Sequence, residues 1–334
     1  MDPLTHTLVG ANLAATRLGR STRFATAALV LGANLPDVDS VFYFTGQQDL
    51  AFGFRRGWTH GVLALIVLPF LQTALLLLLD RWRPHATRRA NPRVLLGLSF
   101  LAIATHPTLD WLNPYGMRWL MPFRGTWYYG DSVYIMDPWL WLILGVGWLL
   151  GKRASVPLIA GWAFFAGAIA WVVNWRGPEY LWVVVVVAVL LLVALLVPAR
   201  RSLATAALAV AMLYIFARLG IHAYAVREVS RDLPRAERLM VGPDPIDPRR
   251  WTVIAQLPDV YRYAEYRLGR GLALDEETLP VPADSPACRA ARAHPDVRGL
   301  VTWSRFPACK VEGNRVSLSD ARWRGWEGET VVLP

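Results

Sequence analysis

Apolar and polar residues are not mixed evenly along this chain. Eight stretches are predominantly apolar: 3–18, 22–36, 60–80, 93–112, 138–151, 155–174, 180–198 and 202–222. Runs such as Leu181 to Val197 are too long and uniform for a core strand. They read as membrane helices, which need about 20 mostly apolar residues. The first, second and fifth stretches are short for a full crossing and fit tilted, partly buried or re-entrant segments. Beyond residue 222 the pattern changes. Arg, Asp, Glu and Pro recur, and no long apolar run remains. Arg227–Leu239 reads as a charged helix or linker. Strands are expected at Trp251–Gln256, Val260–Leu268, Gly299–Phe306 and Ala308–Val311, with shorter ones at Val316–Leu318 and Thr330–Leu333. A hairpin turn is expected at Glu312-Gly313-Asn314. The pattern thus predicts an all-α polytopic membrane domain of about eight helices over residues 1–222. A small α/β or mostly β domain is expected over residues 223–334.

Composition supports a membrane protein. Charged residues make up 18% of the chain, against roughly 25% in soluble proteins. The net charge of +10 first suggests nucleic acid, but its distribution argues otherwise. Residues 223–334 hold 17 basic and 16 acidic residues, while residues 1–222 hold 18 and 9. The excess therefore lies in short loops of the apolar part, where it sets topology. No basic stripe interleaved with aromatics suggests a nucleic-acid surface, so nucleic acid is not expected as a partner.

Connections of one parity carry Arg17, Arg20, Arg23, Arg81, Arg83, Arg88, Arg89, Arg93, Lys152, Arg153, Arg200 and Arg201. Those of the other parity carry Arg55, Arg56, Arg118, Arg124 and Arg176. The first set belongs on the cytoplasmic side. The N-terminus and residues 223–334 then lie outside, in a multi-pass protein of a bacterial inner membrane. The first 20 residues lack a basic start and a long apolar core, so no cleavage is expected and His6 is retained. Cys288 and Cys309 are the only cysteines. Both fall in the outer part, where oxidising conditions permit pairing.

Four short pieces place ionisable groups against apolar stretches, where they are costly and usually pair, bind ions or do chemistry. They are Pro3-Leu4-Thr5-His6, Pro36-Asp37-Val38-Asp39, Arg56-Gly57-Trp58-Thr59-His60 and His106-Pro107-Thr108-Leu109-Asp110. The topology puts all four at the outer face. His106 and Asp110 are four apart, a spacing that stacks side chains on one helix face. Asp37 and Asp39 in a turn can chelate a cation or act as general base; their order of importance is open. Their alternative role is simply that of turn residues. Thr5 and Thr59 can cap or orient. Arg55 and Arg56 suit an anionic oxygen such as phosphate, or equally a lipid headgroup. Asn113, next to a Pro114–Gly116 break, adds a polar contact for substrate. The aromatic-rich segment from Met117 to Phe123 suits an interfacial belt or the mouth of a lipid site. The remaining histidines, His85, His222 and His294, receive no role.

With these residues in view, the N-terminal part resembles the YdjM family. Its members are described as membrane-bound metal-dependent hydrolases and as LexA-binding inner-membrane proteins. The pieces that carry the likeness are MDPLTHTLVGA, LGANLPDVDSV, RRGWTHGVL and ATHPTLDWLNPYGMRWLMPF, over about residues 1–125. The resemblance implies His6, Asp37, Asp39, His60, His106 and Asp110 as the polar signature. Gly61 departs from it, since related sequences tend to carry Ser after the Thr-His pair. The order His, Asp, His, His-x-x-x-Asp also resembles, more weakly, the zinc phospholipase C and nuclease group, which suggests a phosphoester.

The expectation is therefore a metal-dependent hydrolase at the outer membrane face, with zinc as the divalent ion and a lipid-like or phosphorylated small-molecule substrate. Asp37 and Asp39 are the candidate catalytic carboxylates. Two alternatives stand beside it. One is a binding or regulatory membrane protein with a structural metal site. LexA, being cytosolic, could meet such a protein only at inner loops. The other is a metal or proton transporter.

Overall fold

The structure is a computed structural model that describes residues 1–82, 89–151, 202–281, 285–324 and 328–333, with a few scattered positions between 163 and 189. The helices expected at 155–174 and 180–198 fall almost entirely outside the described residues. So do Arg83, His85, Arg88, Lys152, Arg153, Arg200 and Arg201. The elements are α1 (Pro3–Ala15), α2 (Ala25–Gly32), a 3-10 turn (Leu35–Ser40), α3 (Val41–Phe44), α4 (Gln48–Phe54), α5 (Val62–Arg81), α6 (Pro92–Trp111), α7 (Pro138–Gly151) and α8 (Ser202–Asp232). There follow β1 (Arg238–Pro243), β2 (Arg250–Gln256), β3 (Val260–Arg267), β4 (Gly271–Pro280), α9 (Pro286–Arg292), α10 (Arg298–Trp303), β5 (Pro307–Glu312), β6 (Arg315–Asp320) and β7 (Glu329–Val332).

The expected count of about eight membrane helices is not found. Among the described residues three helices are long and apolar enough to cross a membrane: α5, α6 and α8. The stretches at 3–18, 22–36 and 138–151 instead form helices of 13, 8 and 14 residues. At about 1.5 Å per residue these fall short of a 30 Å hydrocarbon core. In the second case the helix stops at Gly32. Asn34, Pro36 and Asp37 then take the chain through a tight turn, as turn-forming residues do.

The chain forms two compact units. One comprises Met1–Pro36, Ala64–Leu109 and Ile135–Phe216. Its α1 is started by Asp2, whose carboxylate accepts the Leu4 and Thr5 amides, with Pro3 in the first turn, where a missing N–H costs nothing. Gly10 lets α1 and α2 touch: a Cβ there would stand 2.6 Å from the Leu29 carbonyl oxygen. Ala25, Ala28 and Leu29 of α2, Leu76 of α5, and Leu95, Leu98 and Ala102 of α6 form one apolar cluster. Gln72 donates from the middle of α5 to the Ala28 carbonyl, which gives its amide nitrogen a partner at a depth where an unpaired donor would be costly. The opposite side of α5 exposes Ile66, Phe70, Leu71 and Leu75, as a lipid-facing stripe does.

The other unit comprises Asp37–Leu63, Asp110–Tyr134 and Ala217–Pro334. Strands β1 to β4 make an antiparallel sheet in sequence order, and β5, β6 and β7 make a second. Ala225 and Val229 of α8 pack with Val241, Trp251, Val253, Ala264 and Tyr266 on the first sheet. Cys288 and Cys309 are joined by a disulfide that ties α9 to β5. The hairpin at Glu312–Asn314 is present, with Gly313 at φ 62°. The strand expected at Gly299–Phe306 is instead the helix α10 followed by a turn. Asp49 caps this helix, accepting the Gly299 and Leu300 amides. A carboxylate distant in sequence thus supplies the cap of the helix that holds Leu300–Trp303.

Candidate metal centre

Each polar piece is held by its own local structure. The 3-10 turn exists because Pro36 interrupts the apolar run, and it carries Asp37 and Asp39. Residues 55–61 form a series of turns. Arg56 adopts a left-handed conformation, φ 53°, and its amide donates to Asp39 Oδ2 at 3.3 Å. Arg118 braces this segment: its guanidinium donates to the carbonyls of Gly53 and Arg55 at 2.6 and 3.0 Å. Gly57 makes room for it, since a Cβ there would stand 2.7 Å from the Arg118 Nη2. Gly61 is equally constrained, with a Cβ placed 2.5 Å from the Met121 carbonyl oxygen. The departure from Ser after Thr-His therefore has a steric counterpart in this chain.

His60 lies at the middle of the group. Its Nε2 is 3.2 Å from Asp110 Oδ2 and 3.7 Å from Asp37 Oδ1. Its Nδ1 turns the other way, 2.8 Å from the Thr59 hydroxyl and 3.5 Å from Asp39 Oδ2. The Thr59 hydroxyl donates to Asp39 Oδ2 at 2.6 Å. A hydroxyl has one proton, so it can only accept from His60, and Nδ1 carries the ring proton. In the neutral ring the lone pair is then on Nε2, the nitrogen that faces the two aspartates and that a shared ion would need. Asp39 is buried and its carboxyl is pushed up to about 6 by that burial, against the Thr59 hydrogen bond and the Arg55 charge. At neutral pH it remains the acceptor this arrangement needs.

Asp110 belongs to the last turn of α6, and His106 lies one turn before it on the same helix. The helix continues through Pro107, so the spacing of four does place both groups on one face. His106 Nδ1 is 2.7 Å from the Ala33 carbonyl oxygen. A carbonyl only accepts, so that nitrogen too carries the proton. His6 stacks on the His106 ring with centroids 3.6 Å apart. Asp37, His60, His106 and Asp110 each offer a donor atom, and these atoms lie within 4.8 Å of one another. Ligands of a tetrahedral ion, at bonds of roughly 2.0–2.2 Å, stand about 3.3–3.6 Å apart. Side chains that close in by about an ångström would bring the four atoms to a shared ion. Two imidazoles and two carboxylates also form a donor set that suits one.

The two arginines differ. Arg56 is buried, with its guanidinium 3.1 Å from Asp110 Oδ1, 2.8 Å from Asn113 Oδ1 and 4.5 Å over the Tyr115 ring. Burial pushes it down to about 10, so it stays charged. Arg55 is more accessible. It reaches Asp37 Oδ1 at 3.4 Å and the Tyr43 hydroxyl at 3.3 Å. In the same stretch of chain, residues 37–63, Val38, Val41, Phe44 and Trp58 are exposed apolar groups.

Sequence reasoning overlooked Arg118, Tyr115 and Tyr43 as parts of this site. Arg118 sits within Met117–Phe123, and its buried neighbours Met117 and Met121 alternate with exposed Leu120 and Phe123. The one signal in the sequence was a basic residue inside an otherwise apolar and aromatic segment.

Neither the curated proteins nor the solved structures contain a match to the chain. Residues 1–178 match the family described as YdjM inner membrane protein. That match covers more than half of the 334 residues and includes every member of the His/Asp group. Together with the apolar helices α5, α6 and α8, it makes this a membrane protein with a possible metal-binding site. The chain belongs to the YdjM family.

Proposed function

We propose that this protein is a membrane-embedded, metal-dependent hydrolase acting at the outer face of the inner membrane. Its substrate is a phosphoester, or another ester, of a lipid-like molecule. The observation that carries this reading is the group of four donors, Asp37, His60, His106 and Asp110, within 4.8 Å. Zinc is the ion we assign, on the strength of two imidazoles and two carboxylates. A divalent ion held there supplies Lewis-acid polarisation of an ester oxygen and a water that ionises near neutral pH.

The chain's own residues divide the remaining work. Thr59 and Asp39 fix the His60 proton on Nδ1, and the Ala33 carbonyl does the same for His106. Such partners orient ligands and raise their basicity. Arg56 balances the charge of Asp110. Asp37, the more accessible of the two turn carboxylates, is assigned to hold the attacking water or take its proton. Arg55 and Tyr43 meet the anionic head of the substrate, and Val38, Val41, Phe44 and Trp58 meet its tail. The Cys288–Cys309 disulfide and the arginine bias of the loops both support an extracytoplasmic C-terminal part.

The test is metal analysis of the detergent-purified protein, repeated for His106→Ala and Asp110→Ala. About one zinc per chain is expected in the wild type, with loss of most of it in each variant. Phosphodiesters and monoesters of glycerolipids and isoprenoids are then assayed for release of the head group or phosphate. A wild type without metal overturns the reading. Metal without turnover moves the function to a structural metal site in a binding protein. The geometry of His60 favours that outcome over a transporter, because the ionisable groups gather in one place.

A further inference from the structure

Residues 217–334 lie beyond the family match but cluster with residues 37–63 and 110–134 in a single unit. The contacts between these stretches are numerous and polar. Asp49 caps α10, and Gly299 there admits no side chain, since a Cβ would stand 1.8 Å from the Asp49 carbonyl oxygen. Trp127 donates to the Thr302 carbonyl at 2.8 Å. Arg305 grips Asp131 with both terminal nitrogens at 2.9 Å.

One line of contacts runs to the donor group. Trp303, at the end of α10, packs on Tyr115 with ring centroids 5.2 Å apart. Its other neighbours include Phe52, at 4.9 Å, Trp323, at 6.3 Å, and the Arg322 guanidinium, 4.5 Å over the ring. Arg322 is itself fixed by Asp320 at 2.8 Å and donates to the Pro114 carbonyl at 2.9 Å. Tyr115 lies under the Arg56 guanidinium at 4.5 Å, and Arg56 holds Asp110 Oδ1 at 3.1 Å. The residues that follow Asp110 thus have one side on the donor group and the other on the C-terminal part. Buried aromatic and cation–π contacts of this kind are directional and hold the rings they join in one orientation.

We propose that the C-terminal part is a positioning element of the metal centre: Trp303 and Arg322 fix residues 113–116, and Tyr115 and Arg56 thereby fix the carboxylate of Asp110. Trp303 acts through Tyr115 and is a positioning residue. This inference rests on the metal-centre reading above for its consequence, but the contacts themselves are independent of any ion.

The experiment uses the full chain in detergent with Trp303→Ala and Trp303→Phe, and two measurements. The first is amide hydrogen exchange of residues 110–118. The second is cobalt(II) titration followed by the visible absorption of the bound ion. In Trp303→Ala, exchange at 110–118 is expected to speed up by about tenfold or more, while residues 250–267 exchange as in the wild type. Cobalt affinity is expected to fall by ~tenfold, the lower end of what second-layer changes do, with a changed absorption band. Trp303→Phe keeps a ring against Tyr115 and is expected to restore both within about twofold. Should Trp303→Ala not fold, Trp303→Leu fills the volume without the ring and answers the same question. Wild-type exchange at 110–118 in the ringless variants overturns the proposal. If the wild type itself takes up no cobalt, the metal-centre reading fails, while the exchange measurement still decides this one.

Discussion

A single hydroxyl sits between Asp39 and His60, and the direction of its proton makes His60 Nδ1 the donor toward it. Thr59 donates to Asp39 at 2.6 Å and accepts from His60 at 2.8 Å. Replacing it by valine keeps the shape but removes both links. Asp39 then loses its shortest donor and keeps the Arg56 amide at 3.3 Å, and His60 loses the partner that fixes its ring. We expect Thr59→Val to weaken zinc binding by about 10- to 100-fold, measured by competition with a chromophoric chelator. Thr59→Ser, which keeps the hydroxyl, should bind within a few-fold of wild type. Equal affinity in Thr59→Val would mean that the His60 ring is oriented by packing alone. The sequence showed Thr59 as a neighbour of His60 but gave no sign of the Asp39 contact, which joins residues 20 positions apart.

At the scale of elements, local rules succeed where an element is made by its own residues. Asp2 and Pro3 start α1, Pro36 forces the turn at Asp37, and Gly313 turns the β5–β6 hairpin. They fail where a distant group decides. The run Leu300–Trp303 reads as a strand until Asp49 caps it. Strand β4 is mostly exposed and carries Asp275, Glu276 and Glu277, so no buried alternation marks it. The β6 end shows the same dependence in its electrostatics. Burial would raise the Asp320 carboxyl, but the Arg322 guanidinium, the Arg322 hydrogen bonds and the Phe306 amide outweigh it and hold the group below the usual carboxylate range. A depressed folded pKa means stability that is present above the unfolded value of about 3.9 and is lost as pH falls through the folded value. Thermal unfolding of the β-rich part, followed by near-ultraviolet circular dichroism, should therefore vary little with Asp320 ionisation above about pH 5 and decline below pH 4. Asp320→Asn should be less stable at pH 7 and show a shallower acid decline. An unchanged acid profile would assign the decline to other carboxylates.

For the whole molecule, the proposed topology puts Cys288 and Cys309 outside the cytoplasm. In spheroplasts treated with an impermeant reductant, Cys288 and Cys309 should react with an impermeant maleimide. Labelling only after lysis would place this part in the cytoplasm and overturn both the orientation and the outer-face site. The units themselves are interleaved in sequence. Residues 37–63 and 110–134 cluster with residues 217–334, an association across long gaps that a linear reading of composition does not register.

By itself the sequence determined that this is a membrane protein of the YdjM family. It also determined that a β-rich part follows the helices and that histidines and aspartates in four pieces are candidates for one site. Those conclusions rest on apolar run length, charge and short motifs, which are local quantities. Only the tertiary structure decided that three described helices are long enough to cross. It alone separated Asp37, which joins the donor group, from Asp39, which backs His60, and turned Arg56 inward while leaving Arg55 accessible. The reason is physical. Which oxygen faces a ring nitrogen depends on proton direction and on packing between residues far apart in the chain, and neither leaves a periodic trace along it.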